Sequence, residues 1–414
     1  VPPKITMGRV PAQIEKQLVA RATDSLFYKP FKQMPAAMAA SDQIRLQQAA
    51  QTVIAGKVVP AYEKLYEFFN ESYLPACRED IGASSLPNGR AYYESRVRAF
   101  TTTDLTPEDV HQIGLTEVAR IREEMTVVMK AVEFKGSLTA FFEFLRNDPQ
   151  FYYTDPKDLL QAYQATAKQI DPTLVHLFTK LPRMPYGIQV IPEAVAPDTT
   201  TAYYTRPAAD GSRPGYYWVN LYDPSARPKF EIEVLTVHEA VPGHHLQIAL
   251  QQELEGLPNF RRYSGYTVFT EGWGLYSERL GYDVGLYQDP YSRFGQLSYD
   301  MWRAVRLVVD TGMHYKGWTR DEAIAYFVSN APRKKLDIVN EIDRYISWPG
   351  QALAYKIGQL KMLELRQRAS SALGDGFDLR RFHDRMLENG AIPLSMLEQT
   401  MTDWIAAEER ALAD

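Results

Sequence analysis

The chain is poor in cysteine, in histidine and in net charge, and each shortage narrows what it can be. One cysteine, Cys77, stands among 414 residues, which excludes an intrachain disulfide and a cysteine-built zinc site. A formal net charge of −5 with no run of Lys or Arg leaves no electrostatic footprint for nucleic acid or for an anionic membrane surface. Neither partner is expected. No stretch reaches the roughly 18 apolar residues needed to cross a bilayer, and the start lacks the charged-then-apolar pattern of a secretory signal. Because the first residue is Val1 and not Met, the chain reads as processed, or as the C-terminal portion of a longer precursor. A periplasmic or secreted location is favoured over a cytoplasmic one. Oligomeric state has no signature here.

What is present is globular in composition, with 45% hydrophobic residues, enough for a large core. Residues 1–180 read as helical, with period-3.6 segments over 44–69, interrupted at Pro60, and over 106–132. The second segment opens with Thr106 as N-cap, Pro107 in the first turn and Asp109 as an early acid. Residues 181–226 change character. Short aromatic and β-branched runs at 188–191, 201–205 and 215–221, bounded by Pro, Gly and Asp, predict a small antiparallel sheet of three strands. Helical periodicity returns over 227–414, where Thr319 to Glu322 has the spacing of a capping box. The expected architecture is one mainly α domain over 1–414, with the small sheet inserted ahead of the helix that carries the histidines.

Three of the chain's seven histidines fall within eight residues, His238-Glu239-Ala240-Val241-Pro242-Gly243-His244-His245. Two imidazoles and a third donor that leave room for water make a hydrolytic zinc site, and a glutamate next to the first histidine can serve as base without itself ligating. In the HExxH pattern the second histidine follows four residues after the first, on the same helical face. Here Pro242 fills that position. In an unbroken helix His244 would sit about 9 Å along the axis from His238 and about 240° around it, and His245 about 10.5 Å along. A shared ion therefore requires a break between Glu239 and His244, which Pro242, lacking an N–H, and Gly243 can supply. His244 is preferred to His245 as second ligand, with His245 then orienting or facing substrate. The plainer alternative is a set of hydrogen-bonded histidines at a helix kink.

Glu271, in the apolar setting of Phe269-Thr270-Glu271-Gly272-Trp273-Gly274, is the candidate third ligand, since a carboxylate there is costly unless paired or metal-bound. Glu278 could ligate or orient a histidine instead. Over 301–315 a polar seam of Arg303, Arg306, Asp310 and His314 recurs at spacings of three and four. An arginine there could clamp a substrate carboxylate, and Asp310 could pair with His314; an internal ion-pair ladder is the alternative. Tyr345 and Tyr355 are candidate donors to a developing oxyanion. Residues Tyr216 to Asn220 could form an edge strand that pairs with an extended peptide.

Four blocks carry a family resemblance: residues 238–247, Glu271-Gly272-Trp273-Gly274-Leu275-Tyr276, Arg306-Leu307-Val308-Val309-Asp310-Thr311-Gly312-Met313-His314, and Pro349-Gly350-Gln351-Ala352-Leu353-Ala354-Tyr355. In order and spacing the chain resembles the mostly bacterial proteins catalogued as domain of unknown function 885, grouped with gluzincin-like metallopeptidases. The resemblance implies a helical peptidase-like fold with one zinc ion, similar to carboxypeptidases and dipeptidases that use HExGH; this chain carries two more residues before its Gly-His pair. The expectation is a zinc-dependent peptidase acting on short peptides. His238, His244 and Glu271 would hold the metal, Glu239 activate water, and Tyr355 or His245 support the tetrahedral intermediate. Arg303, Arg306, His314, Tyr345 and Asn220 would face the substrate. The alternatives are a metal-dependent amidohydrolase acting on non-peptide amides, and a non-catalytic peptide-binding protein.

Overall fold

Prolines and capping side chains set the helix boundaries. In this computed structural model, which describes residues 1–193 and 195–413, Thr106 Oγ1 accepts the Asp109 N–H at 3.2 Å while the Asp109 carboxylate accepts the Thr106 N–H at 2.9 Å. That reciprocal pair satisfies two orphan donors and opens helix α1, Pro107–Ala131. The same arrangement between Thr319 and Glu322 opens Arg320–Asn330. Near Pro60 the predicted interruption takes the form of a π turn over Ile54–Val58, closed by Val59 N–H on the Ile54 carbonyl. Pro60 has no N–H to give the Gly56 carbonyl, so the ladder slips by one residue before the helix Val59–Phe68 resumes it.

The chain forms two compact units, Val1–Ile81 and Gly82 onward. The first is helical, with a small core of Tyr28, Ala50 and Ile54. No linker marks its end, and the divisions suggested at 180/181 and 226/227 fall inside the second unit. That unit carries every candidate site residue. After α1 it contains α2 (Pro156–Ile170), β1 (Tyr186–Val190), β2 (Ala202–Thr205), β3 (Gly215–Val219), α3 (Ile232–Glu239), α4 (His244–Gln252), α5 (Thr267–Asp283), α6 (Pro290–His314), α7 (Arg320–Asn330), α8 (Lys335–Ser347) and α9 (Ala354–Leu373). Among the described residues no helix is long and apolar enough to cross a membrane.

The mainly α architecture is as predicted, but the sheet is mixed, not antiparallel. Its order is β1-β3-β2, with β2 antiparallel to β3 and β1 parallel to it. The connection from β1 carries the chain past β3 to its far side, so that β3 returns between the two in the direction of β1. The segment expected at an edge, Tyr216 to Asn220, is therefore mostly the middle strand, whose hydrogen-bonding edges are both taken. On β3 Tyr217 and Val219 are buried against Leu159 and Tyr163 of α2 and Val234 and Leu235 of α3. The sheet is thereby fixed to the helix that ends in His238 and Glu239. Behind it α5 crosses α9 at a glycine pair: a Cβ on Gly272 would lie 2.6 Å from the Gly358 Cα.

Candidate metal centre

Helix α3 stops at Glu239. Ala240 leaves helical geometry at φ −97°, ψ −107°, the Val241–Pro242 peptide is cis, and α4 begins at His244. Across the break the Gly243 N–H bonds the Val237 carbonyl at 2.9 Å and the His245 N–H bonds the Ala240 carbonyl at 3.0 Å. The backbone passes so close to the end of α3 that a Cβ on Gly243 would stand 1.9 Å from the His238 carbonyl oxygen. Only glycine fits. The required break is thus present, and it sets the His238 and His244 rings with their centroids 4.7 Å apart and their planes at 79°.

Glu271 arrives from α5. Its Oε2 lies 3.4 Å from His244 Nε2 and 3.8 Å from His238 Nε2, and one ligand atom from each residue falls within 4.8 Å of the others. Donors at about 2.0 to 2.2 Å from a shared zinc in tetrahedral array would themselves be about 3.4 Å apart. Two imidazoles and a carboxylate are also a donor set that suits this ion. The residues present could hold it. Gly274, on the same helix, makes room for the rings: a Cβ there would meet His238 Cε1 at 2.8 Å and His244 Cε1 at 3.1 Å.

Glu278, two turns along α5 from Glu271, places Oε1 2.9 Å from His238 Nδ1. Burial pushes the Glu278 carboxyl up to about 8, and burial together with His244 holds His238 well below its ordinary value. With the ring proton on Nδ1, facing Glu278, the Nε2 lone pair would be left on the side of Glu271. Burial works against charge on Glu271, yet His244, Arg306 and Tyr355 hold it below the usual carboxylate value. His244 is also opposed by burial but is raised overall by Glu271 and Glu239. Burial lifts Glu239 to about 7, where a carboxylate can take a proton near neutrality.

His238, Glu239, His244 and Glu271 open on a cavity of about 410 Å³, lined also by β2 and the residues before it, by Tyr299, Trp302, Arg303 and Arg306 of α6, by Glu341 and Arg344 of α8, and by Tyr355 of α9. Of the candidates, His238, Glu239, His244, Glu271, Arg303, Arg306 and Tyr355 are brought together there. His245, Asn220, Tyr345 and His314 are not among the lining residues. His245 uses both ring nitrogens in structure: Nδ1 accepts the Tyr204 hydroxyl at 2.9 Å and Nε2–H donates to the Met184 carbonyl at 2.9 Å. Burial lowers it to about 4, so it is a neutral tether between α4 and the sheet. The Asn220 amide donates to the carbonyls of Ala196, Thr199 and Thr200 and accepts from Tyr222 N–H. Tyr345 donates to Glu341 at 2.6 Å and accepts from Arg306 Nε at 2.7 Å and Trp302 Nε1 at 3.1 Å. His314 accepts from the Ala83 N–H and donates to the Tyr345 carbonyl, while Asp310 takes the Tyr93 hydroxyl and the Gly350 N–H. The expected Asp310–His314 pairing gives way to these separate partners.

Tyr204, Glu341 and Arg344 were missed. Glu341 and Arg344 are spaced i,i+3 on α8, a pattern common on solvated helix faces, and Tyr204 is one of 26 tyrosines. Nothing local distinguishes them; the packing of α8 and β2 against α6 and α3 does.

The model of a bacterial protein family of unknown function, DUF885, matches residues 1–401. No curated protein matches the chain. Among solved structures, a protein from Colwellia psychrerythraea described as a "putative lipoprotein" is 36% identical with a TM-score of 0.93, over 98% of this chain and 71% of that one. A Shewanella oneidensis protein, described in the same words and as of unknown function, is 17% identical with a TM-score of 0.69, over 97% of this chain and 73% of that one; at that identity it shares the fold alone. Since the family model spans nearly the whole sequence and a relative at 36% identity superposes along it, the chain belongs to the bacterial family DUF885.

Proposed function

We propose that the protein is a zinc-dependent peptidase that hydrolyses short peptides, with His238, His244 and Glu271 as the metal ligands. The observation that carries the reading is the meeting of these three donors within 4.8 Å in a cavity that also holds Glu239, the residue after the first histidine. A zinc ion bound there would supply Lewis acidity and make water easier to deprotonate. Glu239 takes a proton from water as the water oxygen bonds the scissile carbonyl carbon, and returns it to the nitrogen as the C–N bond breaks. Glu278 keeps the His238 ring in place through Nδ1, and Tyr355 steadies Glu271. The arrangement resembles that of gluzincin metallopeptidases with the second histidine delayed by the Pro242–Gly243 break. We place the protein in the periplasm or outside the cell, a location supported by the lipoprotein description of its relatives.

Purified protein should contain about one zinc per chain and cleave short peptides. Glu239→Gln should lower turnover by about 10²- to 10⁴-fold, the usual worth of a general base, while the zinc content measured by elemental analysis stays the same. Turnover unaffected by Glu239→Gln, or a protein that takes up no zinc, overturns the reading.

A further inference from the structure

Three arginines and three carboxylates line the cavity, but Glu239 and Glu271 stand at the candidate metal centre, which leaves Glu341 alone among the lining carboxylates to pair with Arg303, Arg306 and Arg344. Arg303 and Arg306 on α6 are 5% and 4% exposed, and buried guanidiniums are costly unless an anion is supplied. Glu341 serves both Arg306, at 3.0 Å, and Arg344, at 3.7 Å. The carboxylate nearest Arg303 is Glu278, 3.6 Å away and already bonded to His238. Among the described residues Arg303 Nε, Arg306 Nη1 and both Nε and Nη2 of Arg344 have no hydrogen-bond partner.

The guanidiniums are also held in place. Arg303 lies over the Tyr299 ring at 4.6 Å and Arg306 over the Tyr355 ring at 4.3 Å, with Trp302 shared by both at 5.0 Å. Planar forks fixed by stacking and short of acceptors are suited to a carboxylate. They adjoin the triad through two links, since Arg303 reaches the carboxyl that orients His238 and Arg306 stacks on the tyrosine that steadies Glu271. An anion bound there sits close to a peptide bond presented at the triad. We infer that Arg303, Arg306 and Arg344 anchor the free α-carboxylate at the C-terminus of the substrate, which makes the protein a carboxypeptidase of short peptides; this rests on the peptidase reading above. An acidic side chain would offer the same chemistry, and the test separates the two.

The probes are three N-acetylated tripeptides of one apolar sequence: the free acid, its C-terminal amide, and the amide with Asp as last residue. Binding is measured by calorimetry to zinc-loaded Glu239→Gln protein. The free acid should bind about 10- to 100-fold more tightly than the plain amide, as one or two charge-assisted hydrogen bonds imply, and the Asp amide no better than the plain amide. Arg344→Gln, at a side chain 34% exposed and so tolerant of change, should bring the acid-to-amide ratio close to one. Equal binding of acid and amide, or an Asp amide as tight as the acid, overturns the anchor. Wild-type turnover separates the two readings. Equal kcat/KM for acid and amide removes the anchor and keeps the peptidase, whereas acid-selective binding without turnover keeps the anchor and removes the peptidase.

Discussion

The polar seam of α6 divides into halves of opposite character. Arg303 and Arg306 line the cavity and retain nitrogens without hydrogen-bond partners among the described residues. Further along the same face, Asp310 and His314 are engaged by Tyr93, Gly350, Ala83 and Tyr345. Both halves set polar, ionisable side chains on one helix face three or four residues apart; what separates them at the cavity is whether hydrogen-bonding capacity is used up. The same contrast separates two adjacent histidines. His244 has an Nε2 beside Glu271 and a buried Nδ1 with no hydrogen-bond partner among the described residues, whereas both nitrogens of His245 are taken. A saturated buried polar group holds the fold together, and an unsaturated one at a cavity is available to a ligand.

The histidine pair gives the largest contrast. His244→Ala removes one of three donors and should weaken zinc binding by more than about 100-fold, beyond the usual cost of losing an outer partner. His245→Ala should leave zinc affinity within a few-fold and instead lower unfolding stability by about 1–3 kcal/mol, because the Tyr204 hydroxyl and the Met184 carbonyl lose their partner. Competition with a chromogenic chelator reads the first quantity and urea denaturation the second. If the two variants exchange these effects, His245 is the ligand and the distinction by saturation fails.

Glu278 tests the contrast from the other side, since it is buried, paired through one oxygen to His238, and leaves Oε2 without a hydrogen-bond partner among the described residues. Glu278→Gln preserves shape but removes the titratable carboxyl that partners His238 Nδ1. If His238 ligates zinc as proposed, zinc affinity should fall about 10- to 100-fold, the usual cost of losing a carboxylate behind a metal-bound histidine. An unchanged affinity would mean that the ring is held by packing on Gly274 alone.

How much of this was legible in the sequence follows the distance over which each feature is decided. The N-cap at Thr106, the capping box at Thr319 and an interruption near Pro60 are local, and they are found close to where expected. The break at Pro242–Gly243 was legible for the same reason, and with it the convergence of His238 and His244. Glu271 was found because a carboxylate among Phe269, Trp273 and Leu275 is conspicuous. Strand order was not legible, because the parallel pairing of β1 with β3 depends on where a connection crosses the sheet. Nor was the fate of His245, His314, Tyr345 or Asn220. Most of their partners lie far away in the chain or on a backbone group, and pattern alone does not show whether a side chain will be saturated.

A variant expected to leave peptide binding unchanged sharpens the division of the α6 seam. His314→Ala deletes the acceptor for the Ala83 N–H and one of two donors to the Tyr345 carbonyl, which keeps the Trp348 N–H, leaving one buried backbone N–H unpaired at a cost of about 1–3 kcal/mol where no water reaches it. The variant should unfold at lower urea with an unchanged m-value. Its preference for a free-acid peptide over the amide should equal that of the wild type, because Arg306 keeps its bond to the Tyr345 hydroxyl while His314 contacts only the carbonyl of that residue. A lost preference at full stability would show that the seam works as one unit from Arg303 to His314, and that saturated bonds at its far end transmit to the cavity.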